Sequence, residues 1–220
     1  MLTRELISQS LPVLHLHDKV FNALQMMNDS HVSQLAIDEQ GKFYGLISEE
    51  TLMQAPDDAF EIRELQITFP MLCVRENEHF LKALNIAVEN RLSIVPVVDE
   101  NNELLGMVSY PELLKQASEF MNVKEPGGLI VLEMENNNYS FSEISRLVET
   151  NDAQINQLNT YTDPQTGMMQ VTIKLNKTEL SDIVATFQRY EYNVKYYFGE
   201  ELYENELRNN YDNLMNYLKL

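Results

Sequence analysis

Basic residues are scarce in this chain: 16 Lys and Arg stand against 34 Asp and Glu, a formal charge of −18. The deficit is shared along the sequence, with 9 basic against 20 acidic residues up to Glu125 and 7 against 14 beyond it. Such a surface repels phosphate backbones and anionic lipids over a Debye length of about 8 Å. Nucleic acid and membrane are therefore not expected partners. Cysteine is almost absent. With Cys73 alone, no intrachain disulfide and no thiolate zinc cluster can form, which suits a reducing compartment. No apolar run reaches the roughly 20 residues needed to span a bilayer, and the first 14 residues lack the apolar block of a signal peptide. A cytoplasmic location is the expectation. Walker, GxSxG and HExxH patterns are missing too, and no spacing of acids singles out an acid/base pair. Catalytic residues, a metal set and a required cofactor are accordingly not predicted.

What the chain does hold is an ordinary globular composition, 44% apolar and 23% charged over 220 residues, enough for two domains. It also holds a repeat. Residues 18–24 and 78–84 share an acid, an apolar pair and a final Ala-Leu at an offset of 60, while residues 38–53 and 99–114 align at 61. One residue inserted between the two blocks accounts for the difference. Each copy predicts a helix, two strands and a second helix. In the first, Val20, Leu24 and Met27 form a helical stripe with Asp18 as N-cap. Strands follow over 32–37 and 43–47, around a turn at 39–42. In the second, the stripe is Phe80, Leu84, Ala87 and Val88, and the strands cover 94–98 and 104–108 with a turn at Asn101-Asn102. The run from Ile94 to Val98 is almost wholly apolar, as for a strand buried on both faces.

Gly45-Leu-Ile-Ser48 with Leu52, and Ile94-Val-Pro-Val-Val-Asp99 with Gly106-Met-Val-Ser109 and Leu113, resemble the cystathionine-beta-synthase-type (CBS) module, present twice in the same order. The resemblance implies two such modules, over 1–60 and 61–122, folded as a pseudo-twofold pair. Beyond them Pro126-Gly127-Gly128 punctuates the chain. The pattern that follows predicts strand 129–134, helix 140–150, strands 153–161 and 168–175, helix 176–190 and strand 192–198. Capping boxes are expected at Ser140–Glu143 and Asn176–Glu179. This βαββαβ order over 127–199 is ferredoxin-like and resembles an ACT domain, a regulatory module that often binds amino acids. Tyr203, Leu207, Tyr211, Leu214 and Leu218 then predict an amphipathic helix over 200–220. The whole is an α+β arrangement similar to the CBS–ACT architecture of acetoin-utilisation-type bacterial regulatory proteins.

CBS pairs commonly bind adenosine-type ligands in clefts between the modules. In the family a Ser or Thr after the Gly-apolar-apolar strand and an Asp three residues on meet ribose or phosphate, since a carboxylate accepts from both ribose hydroxyls. The matching positions hold Ser48 and Thr51 in the first copy, Ser109 and Glu112 in the second. Neither has the Asp. Helix capping is the leading role for all four, with ligand contact the alternative, and the second copy keeps a carboxylate and ranks first as a site. In the ACT-like half, Asn137 and Asn138 stand where amino-acid-binding members carry a glycine loop. A polar turn is the simpler reading, and amide contact with a polar ligand the other. His15 and His17 lack a third ligand, and Cys73 reads as a small buried hydrophobe. The expected function is a non-enzymatic regulator with no required cofactor that senses an adenine nucleotide or another small effector and forms a homodimer. A ligand-independent module for an unknown protein partner is the alternative.

Overall fold

The structure, a computed structural model, describes residues 1–199, so the helix expected over 200–220 lies outside the described residues. The chain divides into two compact units, the first over Met1–Ser118 and the second from Glu119 onward.

The first unit is mixed α and β and is built twice. In the first half, α1 (Val20–Ser30) leads to β1 (Gln34–Glu39), β2 (Lys42–Ser48) and α2 (Glu49–Met53). In the second, β3 (Val74–Arg75) and α3 (Phe80–Asn90) lead to β4 (Ile94–Val98), β5 (Leu104–Ser109) and α4 (Tyr110–Phe120). The two hairpins carry the same irregularity at the same place. Register shifts fall between Ile37 and Asp38 and between Val97 and Val98, opposite Gly45 and Gly106. Both glycines sit at φ near +145°, where a side chain would be strained. A Cβ on Gly45 would lie 2.5 Å from the Phe69 Cβ, and one on Gly106 would lie 2.4 Å from Ile7 Cγ2. The glycines thus leave room for a passing chain.

Those passing segments interlock the halves. A 3-10 turn at Thr3–Leu6, ahead of the first half, packs on the second: Thr3 N donates to Glu78 O (2.8 Å) and Arg4 N to Glu76 O (3.0 Å). Its counterpart at Ile62–Leu65 packs on the first half, with Ile62 N bonded to Asp18 O (2.9 Å) and Arg63 N to Leu16 O (3.0 Å). Leu6 accordingly joins the core around Phe80, Ile94 and Val97, while Ile62 joins the core around Val20, Met27 and Ile37. This reciprocal exchange sets up the pseudo-twofold.

Some local details differ from the sequence expectation. Asp18 does not cap α1; its carboxylate accepts from His15 N at 2.7 Å, and Lys19 takes the cap position without a side-chain bond. Glu78 does the same for Arg75 N at 2.9 Å. The buried stripe of α3 is Phe80, Ala83 and Ala87, with Val88 57% exposed. Leu24 and Leu84 hold equivalent, partly buried places against their two cores.

The second unit has β6 (Leu129–Met134), α5 (Phe141–Glu149), β7 (Ile155–Thr162), β8 (Met169–Leu175), α6 (Ser181–Arg189) and β9 (Asn193–Phe198). Its sheet runs β7-β8-β6-β9 with every neighbour antiparallel, the ferredoxin-like order. Ile130, Leu132, Val171 and Ile173 meet Ile144, Leu147, Ile183 and Phe187 in one core. Ser140 caps α5, accepting from Glu143 N at 3.4 Å. The capping box at Asn176 does not form. Asn176 instead accepts from Gln154 N at 2.8 Å and fastens the chain beside β7, so α6 begins only at Ser181.

Candidate functional site

The larger cavity described in the first unit, about 690 Å³, opens where β2 passes into α2. Ser48 is extended and caps α2: its Oγ accepts from Thr51 N at 3.2 Å and lies 2.8 Å from Thr51 Oγ1. Both hydroxyls line the cavity, beside Glu50 at the start of the helix. An apolar wall comes from the segment that leads into β3, with Ile67, Phe69, Pro70 and Leu72. Phe69 is itself held against Tyr44, ring centroids 5.8 Å apart.

The opposite wall belongs to the second half, at Asn90, Arg91 and Leu92. Arg91 terminates α3 in the left-handed conformation (φ 52°), which turns the chain into the cleft. It is the one cation among the described residues lining the cavity, and it makes no ion pair with a described residue. Gln34 fixes this wall. Its Oε1 accepts from Ser93 N and Ser93 Oγ, both at 2.7 Å, and its Nε2 reaches Arg91 O at 3.5 Å. Ser93 Oγ in turn accepts from Ser33 N at 2.9 Å. A shape like this, apolar on one wall with hydroxyls and an arginine on the others, suits a flat ring carrying an anionic group.

The four positions taken from the sequence are thus separated. Ser48 and Thr51, ranked second on charge, line this cavity. Ser109 and Glu112 are not among its lining residues. Ser109 Oγ caps α4 through Glu112 N at 3.4 Å, and the Glu112 carboxylate accepts from Lys115 at 3.2 Å and Gln116 at 3.4 Å. Arg91 and Gln34 were not singled out by sequence reasoning. The one available signal was Arg91's place directly after a helix and before an apolar strand.

Elsewhere, His15 and His17 lie outside any strand and face different carbonyl or carboxylate partners. His15 Nδ1 is 3.0 Å from Asp38 O, and His17 Nδ1 is 3.4 Å from Glu61 Oε2. Among the described residues no group of three or more His, Cys, Asp or Glu could hold a metal ion. Burial pushes the half-buried Cys73 thiol up, away from thiolate reactivity. In the second unit a cavity of about 460 Å³ is lined by Glu133, Glu135, Asn138, Glu143, Tyr190 and Tyr192, among others. Asn138 reaches it from the 3-10 turn Asn136–Asn138, and Asn137 does not line it. Tyr192 donates to Glu143 Oε2 at 2.9 Å; burial first, then that carboxylate, push its hydroxyl up to about 12. Arg146 lies over the Tyr190 ring, 5.2 Å from its centroid.

A tandem of interlocked halves with a cleft between them defines a regulatory CBS pair. Residues 4–58 and 62–119 match the CBS domain model, more than half of the chain, and the protein belongs to that family. Inosine-5′-monophosphate dehydrogenase of Methanocaldococcus jannaschii is 23% identical over 133 residues, 60% of this chain. The match spans only 27% of that enzyme's length. A CBS domain pair/ACT domain protein from Thermotoga maritima shares the fold, with a TM-score of 0.51 and 24% identity over 55% of this chain and 99% of that one. CBSX2, solved in complex with AMP, is 20% identical with a TM-score of 0.46, over 54% of this chain and 97% of its own. No described helix is long and apolar enough to cross a membrane.

Proposed function

We propose that this protein is a non-catalytic sensor whose CBS pair binds a phosphate-bearing small molecule of the adenine nucleotide class in the cavity between Ser48, Thr51 and Arg91. The observation that carries the reading is the convergence of Arg91, the one cation among the described residues lining the cleft, with two hydroxyls and an apolar wall. The Arg91 guanidinium meets the phosphate, the Ser48 and Thr51 hydroxyls meet ribose, and the base lies against Phe69 and Ile67. In an otherwise acidic chain, an arginine facing open volume is where an anion is stabilised. The second unit acts as an ACT-like domain, for response or homodimerisation, with Asn138 at its polar cavity. On this proposal the chain works in the cytoplasm as a bacterial regulator of the acetoin-utilisation type.

Thermal unfolding of ligand-free protein with AMP, ADP or ATP tests this. A ligand at about 100 times its Kd adds about 2.7 kcal/mol of stability, and Arg91→Ala removes the gain. An unchanged melting temperature with all three nucleotides refutes the reading. A second reading, a ligand-independent interaction module, is favoured by one feature: the first copy has Thr51 where ribose-binding members carry a carboxylate, and Glu112 of the second is engaged by Lys115. It predicts a protein partner retained in full whether or not nucleotide is present.

A further inference from the structure

We propose that the second unit's sheet is a docking surface for residues 200–220 of the same chain, on the face turned away from α5 and α6. This docking does not depend on any nucleotide. It follows first from the strand register. Ile130, Leu132 and Ile173 point into the helix-covered core, so Leu129 and Val131, their neighbours in β6, point the other way. Leu129 stands opposite Phe198 of β9 and Lys174 of β8, and Val131 stands opposite Tyr196. An apolar and aromatic strip thus runs along this face, with Val131 buried at its centre. Tyr196 and Phe198, rings 5.6 Å apart, are 43% and 56% exposed. A contiguous strip of that kind marks a place where something docks.

Charge says what docks. Lys174 is 8% exposed, and its ammonium donates to the carbonyl of Asn122 but pairs with no carboxylate among the described residues. An ammonium this buried is costly without a carboxylate beside it. Lys195, further along the face, is already paired with Glu133 at 2.6 Å. The occupant therefore brings acid to the Lys174 end and apolar side chains to the strip. Residues 200–220 carry both: Glu200, Glu201, Glu204 and Glu206 crowd the start, and Tyr203, Leu207, Tyr211, Leu214 and Leu218 recur at helical spacing. The chain also leaves β9 at the right place. Phe198 shares its row with Leu129 and Lys174, and Gly199 is pressed against the Thr178 carbonyl, which fixes the starting point. At helical rise, positions 203 to 218 reach roughly 22 Å, against roughly 15 Å across four strands. So short a tether gives an effective concentration on the order of millimolar. A second copy has no such tether and meets the repulsion of a chain at −18. With this face filled from within, a homodimer forms through another surface.

Methyl NMR of the full chain tests this. Nuclear Overhauser contacts are expected from the Leu207 and Leu214 methyls to the Tyr196 and Phe198 rings. They should vanish when a mixture of labelled and unlabelled chains is filtered for contacts between chains. Leu207 and Leu214 shifts of an unstructured peptide, contacts to any other surface, or contacts that survive the filter overturn the proposal; the last would name a second copy as the occupant. The charge pairing has its own readout. Lys174→Gln should speed amide exchange over residues 203–218 by about threefold, the scale of one ion pair. Glu201→Gln/Glu204→Gln should do the same from the other side without touching the sheet, so a poorly folded lysine variant does not decide the matter. Exchange as slow as the wild type's in the glutamate variant overturns the pairing.

Discussion

At matching places in their first helices, one CBS half buries Val20 and Met27 and the other Phe80 and Ala87, each 1% exposed. The large residue lies at the end of the pair in one half and at its start in the other. Since interiors tolerate exchange of side chains when total volume is kept, the two halves hold one backbone with inverted fillings. The lesson is that the repeat conserves space and hydrogen bonds, while side chains at the clefts and in the cores are free to diverge.

Truncation of the largest filling gives the strongest test. Phe80→Ala should cost about 4 kcal/mol and Met27→Ala about 3 kcal/mol, read from urea midpoints. Losses in the reverse order break the comparison of inverted fillings. The glycines come next. Gly45→Ala should cost about 3 kcal/mol and Gly106→Ala about 2 kcal/mol, through positive-φ strain and overpacking. The Phe69 Cβ is anchored to its backbone, whose carbonyl group also lies within 3.1 Å, whereas the Ile7 methyl can turn aside. Equal losses would show that strain, not the passing chain, dominates.

The smallest effect separates Glu78 from the rest of its turn. Partial burial alone would raise its carboxyl, but the Lys82 ammonium and the Arg75 N–H outweigh burial and hold it below the usual value. A carboxyl lowered by folding contributes stability above its unfolded value and loses it as pH falls through the folded one. Below about pH 4 the wild type should therefore lose this contribution. Glu78→Gln should flatten that acid limb by about 0.3 kcal/mol, the scale of an exposed pair, in melting curves across the range. An acid limb as steep as the wild type's would mean the Lys82 contact contributes nothing.

Sequence pattern made the periodic elements legible. The strand Ile94–Val98 and the strand Leu129–Met134 stand where the apolar runs put them, because burial of both or one face leaves a period that needs no partner to be seen. The start of α6 was misplaced by five residues because Asn176, a good cap by type, found a better acceptor role toward Gln154 across the sheet. Ser48 and Thr51 could be named from a motif, since cap and motif coincide on the same two residues, three apart. Arg91 could not, because its value comes from β2 of the other half and the segment 67–72 across the cleft, a relation formed only on folding. Gly45 and Gly106 were read as motif letters; their physical role is the close passage of Phe69 and Ile7.

The exchange of leading segments makes the unit of duplication smaller than the unit of folding. As synthesis proceeds, the first half has its helix and hairpin in hand before residues 62–65 emerge to close its core, and residues 3–6 wait longer still for Glu76 and Glu78. A polypeptide with a single copy of the repeat would hold a leading segment with nothing of its own to bind. Only a second polypeptide, offering its own segment in return, would complete it.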